Sequence, residues 1–357
     1  MSLRSIDIVN VLCFRRQRAD RQDREVDGFH LDFCDGVNVL IGGNGMGKTS
    51  LLKLIYAATQ MNGQGTEPEH MKSLLYYFSD RLKGLESLKS YGIGHDDSFV
   101  RVTSHDSQKV YSLKQGGTYF PSAKYDEKIP SVYIPVTEML CHSKGFLAMN
   151  QKYGMPFDGT EIDIIVNASL PETRTVNDEK DEILQTISTV IQGTVIQEDD
   201  VFYILREDGR KVDFSLEAEG RRKLGLIWKL IRNGLLEPGS VLLWDLPETH
   251  LDPELYPMLA DLLLKIQHQG VQIFLATNSY NLAKYLEIRR GCVEDVLFHN
   301  LYWKENQDGT VQLDSMDPIR VRTVGSTSGT CLEDLPFNTL MDADNALLNE
   351  VFGLREG

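Results

Sequence analysis

No stretch of this 357-residue sequence approaches the ~18 consecutive apolar residues that a membrane helix needs. Its first residues, Met-Ser-Leu-Arg-Ser-Ile-Asp, lack the long apolar core of a secretory leader. A cytoplasmic protein with no membrane partner is therefore expected. Cysteine is scarce: Cys13, Cys34, Cys141, Cys292 and Cys331 are far apart, odd in number and form no CxxC pair. That argues against a disulfide framework and a zinc site, and fits reduced thiols. His142, His250 and His268 show no HExxH-like spacing, so each is read as structural. Positive charge is also short, with 37 Lys and Arg against 52 Asp and Glu, a net −15. Such a balance argues against a general affinity for nucleic acid, which rests on many basic contacts to phosphate, while leaving room for a local basic groove. The densest basic run, Arg15 to Arg24, is interleaved with Asp20 and Asp23 and reads as a solvated hairpin tip. No internal repeat, low-complexity segment or sustained heptad pattern is present.

What the sequence does have is Gly42-Gly43-Asn44-Gly45-Met46-Gly47-Lys48-Thr49-Ser50, between the apolar run Val37–Ile41 and the helical pattern that follows. Strand, glycine loop and helix form the context in which a P-loop motif can be believed. The glycines let successive backbone N–H groups turn around a triphosphate, and the positive end of the new helix faces that charge. In this reading Lys48 reaches the β- and γ-phosphates and the Thr49 hydroxyl holds Mg²⁺. ATP and Mg²⁺ are the expected ligands.

A second block lies 200 residues on. Ser240 to Asp245 is a short apolar run ending in a carboxylate, which reads as a buried parallel strand. Asp245 at its end can reach the Mg²⁺ of Thr49. A helix follows over about 254–268, then a second buried strand, Val271–Thr277, ending at Asn278. Upstream, Leu224, Ile227, Trp228 and Ile231 mark an amphipathic helix whose basic residues sit at its start.

Between the blocks, strands are expected over 6–13, 30–33, 98–103, 109–114 and 132–135, and a helix near 67–89. An amphipathic helix over 181–192 precedes a meander over 194–214. After strands at 296–304 and 310–313, the Thr-, Ser-, Gly- and Pro-rich stretch 317–337 reads as loop. A last helix over 342–352 is expected to pack its apolar face on the core. The division expected is an ATPase core over 1–59 and 194–315, a polar inserted segment over 60–131, a strand plus helical lobe over 132–193, and a C-terminal loop and helix over 316–357.

In this order the parts resemble an ABC-type ATPase head, and most closely the small prokaryotic ATPases of the SMC-like and OLD-like group (AAA_15 and AAA_21 types). The resemblance covers the first ~60 residues and about 212–305 well, and the middle loosely. It implies an α/β P-loop NTPase with a mixed sheet. Gly145, Gly154, Pro156 and Pro171 interrupt any long middle helix, so a compact helical insertion is expected in place of a coiled coil. Carried over by position, Gly42 to Ser50 match the Walker A motif and Asp245 the Walker B aspartate. Glu217 to Arg222, with Glu219 and Gly220 as candidate nucleotide contacts, fall where the signature motif lies. Leu251-Asp252 match the D-loop, Asn278 stands at the switch position, and Glu138 follows a weakly matched Q-loop strand.

Two departures matter. The family places a glutamate directly after the Walker B aspartate as general base, where this chain has Leu246, and Asn278 cannot take a proton as the usual switch histidine does. Glu248 is the nearest spare carboxylate; it is kept among the candidate catalytic residues with Lys48, Asp245 and Asn278, although bracing the next helix is the favoured role. Slow turnover is expected. The resemblance implies self-association around ATP into a homodimer or higher oligomer, and compact ATPases of this kind often accompany an effector in anti-phage systems. The function expected is a nucleotide-gated scaffold controlling a separate nuclease or toxin. The alternative is a hydrolysing mechanical ATPase in DNA repair or nucleic-acid processing.

Overall fold

The computed structural model describes residues 2–15, 28–61, 74–78, 85–90, 98–105, 108–112, 128–173, 178–304 and 323–353. Its centre is a six-stranded mixed sheet. Five strands run parallel: β3 (Val37–Gly42), β6 (Ser131–Ile134), β10 (Val241–Asp245), β11 (Gln272–Ala276) and β12 (Val296–Lys304). The sixth, β13 (Thr323–Gly329), pairs antiparallel with β12, giving the order β13-β12-β3-β11-β10-β6. The inner strands are buried on both faces, so they read as unbroken apolar runs and side chains still alternate between two cores. Val37, Val39 and Ile41 of β3, Leu242 and Trp244 of β10, and Ile273 and Leu275 of β11 face one core. Leu40, Leu243, Phe274 and Ala276 face the other.

The P-loop helix α1 (Lys48–Thr59) fills the second core, beside a four-stranded antiparallel sheet ordered β2-β1-β4-β5. Its strands are β1 (Leu3–Val9), β2 (Phe29–Asp32), β4 (Phe99–Ser104) and β5 (Gln108–Ser112). The first core takes α2 (Phe146–Tyr153), α3 (Gly159–Ala168), α4 (Asp178–Ile191), α5 (Glu219–Arg232), α6 (Tyr256–His268) and α7 (Tyr280–Arg289). A three-stranded meander, β7 (Thr194–Glu198), β8 (Val201–Leu205) and β9 (Lys211–Asp213), leads into α5. The helices between β6 and β7 span 8 to 14 residues, a compact insertion with no coiled coil among them.

Two expectations need correction. Within the stretch read as loop over 317–337, Thr323–Gly329 is a strand that pairs with β12 along seven residues. Its polar sequence hid it, because an edge strand buries few side chains; Thr323, Val324 and Gly325 alone are fully buried there. The terminal helix α8 (Thr339–Phe352) forms, but no residue of it is buried. Leu347, Leu348, Val351 and Phe352 stand 46–71 % exposed, so the helix does not pack that face on the core. Most of the expected 67–89 helix, the Arg16–Arg24 tip and the 310–313 strand lie outside the described residues. No helix among the described residues is long and apolar enough to cross a membrane.

Candidate functional site

Three parallel strands deliver the candidate residues to one edge of the sheet. Gly42 ends β3, Asp245 ends β10 in register with Ala276, and β11 lies between them. Crevices outside the carboxyl ends of such strands are where ligands of open α/β sheets bind.

The glycine loop is shaped for a close approach. Gly42, Gly45 and Gly47 have φ of 133°, 80° and 85°, a region that side chains rarely adopt. A Cβ on Gly47 would also meet Cys13 Sγ at 2.6 Å and the Phe14 ring at 2.8 Å. Helix α1 begins without a side-chain cap and without an acidic residue in its first turn, so its free N–H groups and positive end face outward. Lys48 is buried and its Nζ donates to the carbonyls of Gly42 at 2.6 Å and Gly43 at 3.0 Å, holding it across the loop. Burial lowers its pKa, against the pull of Asp245 and Glu248. Asn44, Gly45 and Thr49 are exposed, whereas Met46 turns inward.

Asp245 is 1 % exposed. Its Oδ2 accepts from the Tyr133 hydroxyl at 3.3 Å, and its Oδ1 is buried with no partner. Burial raises its pKa, opposed first by the nearby Thr49 hydroxyl. An orphaned carboxylate oxygen beside that hydroxyl and near Lys48 is the donor set a hard cation such as Mg²⁺ takes. The residues present therefore fit the cation and the triphosphate: Thr49 and Asp245 would hold the first, and the loop, Lys48 and the start of α1 the second.

Glu248 departs from its favoured expectation. It does not brace the following helix; Asp252 caps that turn, accepting from Glu254 N at 3.1 Å. Glu248 is instead buried, its Oε1 accepting from the Asn278 N–H at 2.7 Å, while Oε2 has no partner. Burial raises its pKa; the Asn278 N–H is the main opposing influence, and Thr277 also lowers it without standing in hydrogen-bonding geometry to Oε2. Asn278 therefore enters the site through its backbone, with its side chain exposed.

The candidate signature residues open α5. Glu219 Oε1 lies 2.9 Å from His250 Nδ1. Gly220 is buried against its own chain, where a Cβ would meet the His250 carbonyl at 2.6 Å. It is thus a packing glycine of this subunit. Glu138, after β6, accepts from Leu140 N at 2.5 Å and faces Arg222 Nε at 3.5 Å.

Three functional neighbours escaped the sequence reading. Lys223, 2 % exposed, donates from α5 to the Thr249 carbonyl at 3.0 Å and to the Leu246 carbonyl at 3.5 Å. Its position one residue before the apolar stripe Leu224, Ile227, Ile231 was the available signal. Tyr133 sat in plain view on the strand next to Asp245, but only strand order pairs them. The third, the link from Lys53 to Asp158, carried no sequence signal, since 105 residues separate the pair.

A family model described as an AAA domain, putative AbiEii toxin, of a type IV toxin–antitoxin system matches residues 152–283. That stretch carries Glu219, Gly220, Asp245, Glu248, Asp252 and Asn278 but not the glycine loop. The chain is 34% identical over 101 residues to the DNA replication and repair protein RecF of Cronobacter sakazakii, and 31% over 105 residues to that of Proteus mirabilis. Either match takes in 26% of this chain and 28% of the relative, so the chain spans little more than a quarter of their length. The SMC head domain from Thermotoga maritima superposes over 92% of this chain and 99% of its own, with 16% identity and a TM-score of 0.46. In strand order, in its glycine loop and over residues 152–283, the chain is similar to P-loop ATPases of the SMC/ABC-like kind.

Proposed function

We propose that this chain binds ATP with Mg²⁺, closes with a second copy around the nucleotide, and acts as a nucleotide-gated scaffold controlling a separate effector, such as a nuclease or toxin, in the bacterial cytoplasm. The observation that carries the nucleotide reading is the uncapped start of α1 behind a positive-φ glycine loop, with Lys48 and the half-satisfied Asp245 beside it. The ligand supplies what the fold leaves open: an anion for the helix end and a cation for Oδ1. The effector reading draws support from the likeness of residues 152–283 to an AAA domain described as a putative toxin of a type IV toxin–antitoxin system, and anti-phage defence is the setting we infer for it. Gating follows if ATP binds the closed pair more tightly than the open one, since a ligand shifts an equilibrium only by that difference.

Sedimentation with ATP–Mg²⁺, ADP–Mg²⁺ and no nucleotide tests the gate. Mass should rise with ATP alone and stay constant in Lys48→Ala. An unchanged mass under all three conditions refutes it. For defence, phage should plate less efficiently on cells carrying the intact native locus than on cells carrying Lys48→Ala; equal plating rules that role out. A second reading, a mechanical ATPase of nucleic-acid processing, draws on the RecF likeness. ATP-dependent, salt-sensitive DNA binding would favour it.

A further inference from the structure

We propose that Glu248 is the general base that activates the attacking water, doing from three residues past Asp245 what the residue directly after it does elsewhere in the fold class. The inference rests on the reading of the site as one that binds ATP. Leu246 and His250 have φ of 47° and 61°, and neither is glycine. Left-handed residues of this kind are strained and persist where surrounding structure over-determines them, often at functional sites. Here the surroundings do so. The Leu246 N–H donates to the Ala276 carbonyl at 3.0 Å, and its carbonyl accepts from the Thr249 hydroxyl at 2.8 Å. Lys223, buried under the loop, holds the Thr249 carbonyl.

The bend at Leu246 has one visible product. Glu248, 8 % exposed, points inward with Oε1 fixed by the Asn278 N–H and Oε2 bare. A buried carboxylate oxygen left unpaired is costly. Glu248 is not held there as a helix cap, since the next turn is capped by Asp252. The Asn278 N–H that holds Oε1 follows β11, the strand between β3 of the glycine loop and β10 of Asp245, and Lys48 feels the charges of both Glu248 and Asp245. A water is the natural partner for Oε2: it donates one O–H there and turns its oxygen lone pair outward. That oxygen attacks the γ-phosphorus, the bond from phosphorus to the β–γ bridging oxygen breaks, and its electron pair leaves on ADP. The water proton passes to Oε2 and is returned to phosphate or solvent.

The test is Glu248→Gln, which preserves shape and removes the base. Steady-state phosphate release should fall about 10²-fold or more, the share a general base supplies. ATP–Mg²⁺ affinity by calorimetry should stay within about threefold, as expected when only transition-state binding is lost. Trapping of ADP with orthovanadate, which mimics the pentavalent phosphorus, should fall at least tenfold with ADP affinity unchanged. Leu246→Glu placed in the Glu248→Gln background should restore part of the turnover. Should Glu248→Gln not fold, Glu248→Asp, which withdraws the carboxylate by one methylene, should lower turnover about tenfold at unchanged ATP affinity. Turnover of Glu248→Gln within threefold of wild type, or a wild type that binds ATP without releasing phosphate, overturns the proposal. A matching loss of Mg²⁺-dependent ATP affinity overturns it too, making Glu248 a cation ligand. Failure of the wild type to bind ATP at all sinks the underlying reading instead.

Discussion

The Lys53 ammonium of the P-loop helix lies 2.5 Å from the carboxylate of Asp158, the residue that caps α3 in the helical insertion. One turn on, the Tyr56 hydroxyl donates to Asp163 of α3 at 2.9 Å. The helix that starts at the phosphate loop is therefore tied twice to the inserted lobe. Asp158 also accepts from Thr160 N at 2.8 Å, so it serves as cap and ion-pair partner together. Asp158→Asn keeps a capping oxygen and loses the charge; Asp158→Ala loses both. Urea denaturation should show Asp158→Ala less stable than Asp158→Asn by about 1 kcal/mol, the usual worth of a cap. Equal midpoints for the two variants would deny the capping role.

Lys48→Ala removes the point charge that meets the β- and γ-phosphates, so calorimetry should show ATP affinity lower by about tenfold or more. Identical affinities in variant and wild type would mean that the loop does not hold phosphate.

Gly220 offers no clean probe of self-association, because its neighbour is the His250 carbonyl of the same chain. Gly220→Ala should destabilise the subunit by about 1–3 kcal/mol without nucleotide, as forced overpacking does. Glu219→Arg is the better probe. Its side chain is half-buried at the start of α5 and is paired with His250 and Arg222. Light scattering should show ATP-dependent mass growth weakened in Glu219→Arg, with thermal stability nearly unchanged. Undiminished growth would move the self-contact elsewhere on the molecule.

His299 gives the fold a pH dependence of known sign. It is fully buried, with Nε2 facing Asn38 Oδ1 at 3.2 Å and Nδ1 facing Ser328 Oγ at 2.8 Å. Asn38 Oδ1 already accepts from Cys34 N, so Nε2 carries the proton and Nδ1 accepts. Burial pushes the ring's pKa from 6.5 down to about 3, so the unfolded chain binds the proton more readily. The ring's contribution is complete above the unfolded value and is lost as pH falls from there toward the folded one. That loss should reach about 2 kcal/mol by pH 5. The buried carboxyls Asp245, Glu248 and Glu138, whose pKa values are raised, act in the opposite sense at low pH. The measurement is therefore the difference in stability slope between wild type and His299→Gln over pH 5–7; equal slopes would show that His299 does not titrate on unfolding.

Much of this was legible in the sequence where burial on both faces forces a pattern. Val241–Asp245, Gln272–Ala276 and Val296–Lys304 follow directly from apolar runs, and the glycine loop from its spacing and context. The rest depends on long-range geometry. β13 buries too little to leave an apolar trace and is defined only by its pairing with β12. Glu248 looked like a helix brace because its chain neighbours suggest one, whereas its place is set by a backbone reversal at Leu246 that leucine does not advertise. The apolar spacing of α8 predicted a helix correctly and its packing wrongly, since periodicity states which residues share a face and not what covers it.

The left-handed backbone at Leu246 also makes this position a point where selection for durability and selection for work diverge. Leu246→Gly would accept the same φ without steric penalty and should recover up to about 1 kcal/mol of stability. The freed backbone would also loosen the aim of the carboxylate two residues on. A library screened for heat resistance should therefore enrich glycine at 246, and one screened for phosphate release should discard it.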